Sequence, residues 1–449
     1  MNRARQAVLP GYLLLCLLLG GSTQAIWGNA VLQWLAVAIL GWAALTRDPQ
    51  PLTRQGKQLL LIVGALGLLF TAQLVPLPPA LWTRIPGRQF IADGFGQLGM
   101  ALPWMPISQA PYDTLATAIT LLPPLALLIG MLRLRDWDSR AIFGAIAVGA
   151  MISVLLGLLQ LTGSDGAWYF YRVTNLGVAV GTFANGNHFA TLLLVAIPGL
   201  AALVAIGLRS ENKQRRSLAG ALALGLGAAL AIGAIMNSSA AFLLLWLPVT
   251  AAAVMLAMRL SPARMRQGVL AIALILMIAA ASLAILGNRF PGWGTNASFE
   301  TRMSFWDRTL EATKTEGLLG SGFGTFQSVY GRYEEPAEVD RFYVNHAHGD
   351  YFEIALEGGI PALVLLLVFF AWWTGRARDA WLAPAATVEQ KAAAVASAAI
   401  LLHSLFDYPL RTAAIMAVMA ACLAFLGGAR GRPRGEGSEN VKPARHATL

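Results

Sequence analysis

Apolar runs of roughly 20 residues recur along the chain, and the charged residues collect in the short stretches between them. A helix of that length crosses a bilayer, so each run predicts a spanning helix. The pattern places helices over 8–26, 29–45, 58–75, 113–131, 141–162, 188–208, 217–236, 241–257, 267–286, 350–374, 392–406 and 412–427. That makes twelve. Nothing repeats the strand-length alternation of a membrane barrel. The expected fold class is all-α: a polytopic integral membrane protein of about twelve spans, with one long loop forming a small helical lobe.

The same pattern divides the chain. Residues 1–140 hold the first four helices, 141–287 the next five, 288–349 the loop or lobe, 350–427 the last three, and 428–449 a charged Gly/Pro-rich tail read as disordered. Three polar segments exceed turn length. Pro76–Tyr112 is rich in Pro, Gly and Trp and is expected along the membrane interface. Ser164–Asn187 is the second. The third, Asn288–Gly349, contains an amphipathic helix marked by Met303, Trp306, Leu310 and Thr313, followed by the flexible turn "GSGFG". That turn lacks a preceding strand and a following Lys, so it is a poor phosphate loop.

Composition sharpens this picture. The chain is 57% hydrophobic and 12% charged, well under the roughly 25% charge of soluble domains. The net charge of +10 invites a nucleic-acid reading, but its distribution does not. Alternate loops hold 23 of the 33 basic residues, and the opposite side holds 15 of the 23 acidic ones. The basic side faces the cytoplasm by the positive-inside rule, which puts both termini there. The excess is a topology signal, and no nucleic-acid partner is expected. Cys16 and Cys422 fall inside predicted spans, with neither disulfide nor metal spacing. The first apolar segment lacks a cleavage site and is read as a retained helix.

Candidate chemistry collects at one edge, in "NHAHGDYFEIALEGG", Asn345–Gly359. Asp350 and Glu353 have capping-box spacing, which would start the tenth helix near Asp350. His348 then lies just outside a helix N-terminus, where partial positive charge suits an anion and disfavours imidazolium. A neutral imidazole there is what a general base requires. The alternative is that His346 and His348 bond carbonyls in an ordered loop. A metal site from His346, His348 and Asp350 on one extended edge is a further alternative, short of ligands. Arg172 sits among aromatics in "YFYRVTN", and Arg302 and Arg308 lie on the lobe helix. Either could bind diphosphate; the alternatives are headgroup snorkelling for Arg172 and pairing with Asp307 or Glu311 for the other two. Asn185, Asn187 and His188 open the sixth helix as a possible substrate rim. His403 and Asp407 stand four apart near the outer end of the eleventh, where ionisable groups usually face a polar cavity.

Three of these stretches resemble the bacterial O-antigen ligase and O-antigen polymerase membrane proteins. They are "GTFANGNHFA", the Arg-plus-Trp helix "TRMSFWDRTLEATKTEG" with its Gly-rich turn, and "HGDYFEIALEGG", in which nine residues separate Gly349 from Gly359. The resemblance covers roughly residues 145–425. Two positions depart from the family pattern: Gly349 replaces a small polar residue, and Ala240 stands where an Arg is common.

The resemblance implies a metal-independent, cofactor-free transferase on the periplasmic face of the inner membrane. Its donor would be a glycan on undecaprenyl diphosphate, and its acceptor lipid A–core, a growing glycan or, alternatively, a protein. It implies His348 as catalytic base and Arg172 and Arg302 as diphosphate ligands. Asn187, His188, His346, Asp350 and Asp407 are the candidate rim, and membrane lipid is the remaining partner. A flippase for lipid-linked oligosaccharides is the rival of another class. It would need charges deep within several spans, whereas here polar residues gather at one edge.

Overall fold

A computed structural model describes residues 3–23, 26–163, 166–236, 239–258, 264, 267–268, 270–271, 295–336, 339 and 343–431. The chain is helical, and among the described residues the only β feature is an isolated bridge between Leu77 and Met105. In order, the helices are α1 (Arg3–Leu19), α2 (Trp27–Leu45), α3 (Arg54–Leu74), α4 (Pro79–Trp82), α5 (Gln89–Gln97), α6 (Pro111–Thr120), α7 (Leu122–Arg133) and α8 (Ser139–Thr162). They continue as α9 (Gly186–Leu208), α10 (Lys213–Met236), α11 (Ala240–Ala257), α12 (Thr295–Glu316), α13 (Phe326–Tyr330), α14 (Asp350–Leu382), α15 (Val388–His403) and α16 (Ala413–Leu426).

Seven stretches are long and apolar enough to cross a membrane: α2, α3, α6 with α7, α8, α9, α10 from Arg216, and α14. Ala4–Leu19, Phe242–Ala257 and Ala413–Leu426 are apolar but shorter. Most of the expected 267–286 span lies outside the described residues. The expected 113–131 helix is two helices meeting at Leu121, because Pro123 and Pro124 cannot donate the backbone bonds that would carry the first helix onward.

Helices α15 and α16 form the centre. Helix α9 packs on α8, α10, α11 and α15, and α16 packs on α7, α15 and α1. The faces that meet are rich in small residues, including Ala393, Ala396, Ala399, Ala414, Ala417 and Ala421. Small side chains let helix backbones approach closely, which is how membrane helices gain packing where lipid removes the hydrophobic drive.

Helix α14 contains the most consequential departure from the expected pattern. It runs to Leu382 rather than 374, and it breaks at Gly359, whose φ of 57° and ψ of −155° are non-helical. The break frees carbonyls near the end of the first segment. The turn Gly317–Gly324 fills the gap: Ser321 N–H donates to Leu356 O and Gly322 N–H to Glu357 O, both at 2.9 Å. Gln73 of α3 completes the joint, donating to Glu357 O at 2.9 Å and accepting from Phe323 N at 3.0 Å. The "GSGFG" turn is therefore a buried plug, not a flexible connector. Buried irregular backbone persists only where its polar groups are satisfied. A Cβ at Gly359 would collide with Leu318 O, so no other residue fits.

Candidate functional site

The first turns of α14, the residues before it, the connection 404–412 and the N-terminus of α9 converge on one polar cluster. Its centre is Asp407, 1% exposed, in the turn after α15. Asp407 Oδ1 accepts from Tyr408 N at 2.9 Å and lies 3.4 Å from His348 Nδ1 and 4.0 Å from His188 Nε2. Burial raises the carboxyl's pKa, but the His348 contact and the nearby His188 and His403 rings outweigh it. They hold Asp407 well below the usual carboxylate range.

His348 keeps 23% of its side chain exposed, which makes it the accessible member of the pair. Its backbone is unusual: φ is +51°, and Trp168 is the one other non-glycine at positive φ among the described residues. Such a conformation costs on the order of 1–3 kcal/mol and clusters at functional sites. Helix α12 holds it. Trp306 Nε1–H donates to His348 O at 3.2 Å, and the Phe305 ring stacks on the imidazole at 5.8 Å. The next residue explains its own identity. A Cβ on Gly349 would stand 2.8 Å from the Phe352 ring and 3.2 Å from Trp306 Nε1.

His346 lies in a separate subsite. Its Nδ1 is 3.1 Å from both oxygens of Glu353, and Glu353 Oε1 also accepts from Ala347 N at 2.9 Å. The expected capping box is therefore absent. Gly349, not Asp350, is the N-cap of α14, and it makes no side-chain cap bond. The carboxylates that might have capped have stronger partners. Arg411 lies 3.4 Å from Asp350 Oδ1, 3.2 Å from Glu353 Oε2 and 3.1 Å from Glu357 Oε2. Burial opposes the guanidinium's charge, but Glu353, Glu357 and Asp350 outweigh it and raise its pKa above the ordinary value. Arg411 was not among the expected site residues. Its signal was visible: Asp350, Glu353 and Glu357 fall at i, i+3 and i+7, one helix face needing a cation.

His346, His348 and Asp350 diverge toward Glu353, Asp407 and Arg411, so they do not form the three-ligand edge considered for a metal. Among the described residues no group of three His, Cys, Asp or Glu side chains has metal-holding spacing.

Tyr408 fills the space between the rings, with centroids 4.2 Å from His346, 4.9 Å from His188 and 5.0 Å from His348. Its hydroxyl accepts from Asn185 Nδ2 at 3.4 Å and Asn345 Nδ2 at 3.3 Å. The role of Asn185 as N-cap of α9 accounts for its Oδ1, which accepts from Asn187 N at 2.8 Å. His403, at the end of α15, pairs through Nδ1 with Thr191 Oγ1 at 2.8 Å.

The arginines separate. Arg308 pairs with Glu311 at 3.4 Å and Glu335 at 2.8 Å. Arg302 lies three and four residues before Phe305 and Trp306, on the face of α12 that meets His348. Its positive charge is close enough to act on His403. Arg172 is exposed in the 166–185 connection, close in sequence to exposed Trp168, Phe170 and Val173. Asn187 is half-buried at the start of α9.

A largely helical chain thus sets a histidine at positive φ against a buried carboxylate where several polar connections meet. Residues 224–367 match the family model described as O-antigen ligase, a stretch that contains Arg302 and His348. The chain is O-antigen ligase-like across that stretch. No curated protein matches it.

Proposed function

We propose that this protein is a glycosyltransferase of the O-antigen ligase or polymerase type, with twelve spans and both termini in the bacterial cytoplasm. Its site lies on the periplasmic face of the inner membrane. It transfers a glycan from undecaprenyl diphosphate to a hydroxyl of lipid A–core or of a growing glycan, without cofactor or metal. The observation that carries the reading is the His348–Asp407 pair: an accessible imidazole backed by a carboxylate that stays ionised.

With Nδ1 turned to Asp407, the pair favours the tautomer that leaves Nε2 free to accept a proton. The 3.4 Å separation exceeds a good hydrogen bond, and catalytic pairs commonly tighten only around reacting groups. His348 Nε2 takes the proton of the acceptor hydroxyl as that oxygen bonds to the anomeric carbon. The bond from that carbon to the diphosphate oxygen breaks, and the leaving oxygen keeps the electron pair. Attack opposite the leaving group inverts the centre. Arg302, and Arg172 from the neighbouring connection, bind the diphosphate and its developing charge. Asn187 and His346, the partly exposed members, shape the rim, and buried Tyr408, His188 and Asp350 support it.

The glycan profile of a deletion strain tests the acceptor. Caps of a single repeat identify a polymerase, and free lipid-linked polymer identifies a lipid ligase. An unmodified surface protein identifies a protein ligase. An unchanged profile contradicts the proposal.

A further inference from the structure

Away from the histidines, a second cluster joins the segment before α6 to the C-terminus of α12. Arg88, at the N-cap of α5, is 0% exposed, and its Nε, Nη1 and Nη2 have no hydrogen-bond partner among the described residues. Glu316 is the nearby carboxylate, but both its oxygens are engaged. Oε1 accepts from Arg332 at 2.8 Å and Tyr333 at 3.3 Å, and Oε2 accepts from Gln109. Among the described residues, two guanidiniums and one carboxylate leave one positive charge uncompensated. Burial pulls the Arg88 pKa down to about 10; Glu316 opposes that fall and Arg332 adds to it.

A buried guanidinium without hydrogen bonds is costly, and the described residues supply Arg88 with no hydrogen-bond acceptor. Arg332 forms the solvent-side wall: its side chain is 27% exposed and its guanidinium lies 4.4 Å above the Phe90 ring. The connection that carries Arg88 also carries exposed apolar side chains: Leu81 is 52% exposed, Leu98 73% and Trp104 66%. Exposed Trp is favoured at headgroup level. A phosphodiester carries one negative charge, which matches the excess, and its paired oxygens match the guanidinium fork.

We propose that Arg88 and Arg332 form a site for the phosphodiester of a phospholipid headgroup, with the acyl chains lying over Leu81, Leu98 and Trp104. Arg332 moves aside from Glu316 to admit it. The site stands apart from His348: Glu316 lies ten positions beyond Trp306 on α12, about 15 Å along a helix. It binds lipid and does no chemistry.

The test uses the full-length protein in neutral detergent. Native mass spectrometry and thermal unfolding are followed as phosphatidylglycerol or inorganic phosphate is added, for wild type and Arg88→Gln. Wild type is expected to retain phosphatidylglycerol and unfold at higher temperature, with inorganic phosphate giving no comparable shift. Arg88→Gln should bind that lipid on the order of tenfold more weakly, the loss of one charged hydrogen-bond contact. Should Arg88→Gln fail to accumulate, Arg332→Gln carries the same expectation. Equal lipid retention by the variant and wild type overturns the proposal, as does a shift produced by inorganic phosphate alone. Glycan transfer is not the readout, so the outcome is independent of the reading of His348.

Discussion

Asp407 Oδ1 lies 3.4 Å from His348 Nδ1, although 58 residues separate the two in sequence. Backbone contacts fix the approach: Asp350 N–H donates to Ser404 O at 3.0 Å and to Asp407 O at 3.3 Å, tying the start of α14 to the turn that carries the carboxylate.

The depressed carboxyl pKa of Asp407 fixes a pH expectation. A group of this kind contributes stability that is complete above its unfolded pKa, about 3.9, and is lost as pH falls through the lower folded value. The stability difference between wild type and Asp407→Asn should therefore narrow as the pH is taken below the unfolded carboxyl value, about 3.9. Thermal unfolding from neutral pH into acid checks it. Transfer by Asp407→Asn should fall by roughly 10- to 100-fold, the size of effect seen when a partner that orients an imidazole is lost.

Arg411 neutralises part of a buried group of three carboxylates and is itself only 17% exposed. Removing one partner from such a buried network costs about 3–5 kcal/mol. Arg411→Ala should sharply lower the unfolding temperature in detergent, and Arg411→Lys should recover little, because an ammonium lacks the fork that spans Glu353 and Glu357. Wild-type stability in Arg411→Ala would remove this network from the account.

Gly359→Ala should destabilise through both the disallowed backbone and the collision with Leu318 O, with backbone strain alone contributing roughly 1–3 kcal/mol. Gly375 lies in the same helix with nothing within 4 Å of an added Cβ. Gly375→Ala should be neutral or mildly stabilising. Comparing the two unfolding temperatures separates a helix break from general sensitivity of α14.

How much of this was legible beforehand depends on the range of the interaction. Helix positions followed from apolar runs, a local property, and α2, α3, α8, α9 and α10 fall close to where hydropathy puts them. The start of α14 at Asp350 was also legible, but the reason for it was not. Spacing suggested a capping box, while Glu353 in fact meets His346 and Arg411, residues no local pattern connects to it. The plug of Gly317–Gly324 in the Gly359 break was hidden for the same reason. Arg302 and Arg308 looked equivalent because the partner that distinguishes Arg308, Glu335, lies 27 residues away.

That distinction sets a further expectation. Arg302→Ala should cut transfer on the order of 10- to 100-fold, the worth of one charged contact, and Arg302→Lys should rescue poorly. Arg308→Ala, which removes a paired and partly exposed cation, should leave transfer within a fewfold of wild type. Initial rates at saturating acceptor, with similar accumulation verified, make the comparison.

The central claim is that His348 acts on the acceptor while Arg302 holds the donor. Donor affinity and single-turnover transfer are therefore measured side by side with purified protein and a lipid-diphosphate-linked glycan, for wild type, His348→Ala and Arg302→Ala. The account predicts that His348→Ala binds donor as wild type does but transfers it on the order of 10²- to 10⁴-fold more slowly, the range of a lost general base. Arg302→Ala should lose donor affinity. Weakened donor binding in His348→Ala together with wild-type binding in Arg302→Ala would contradict it.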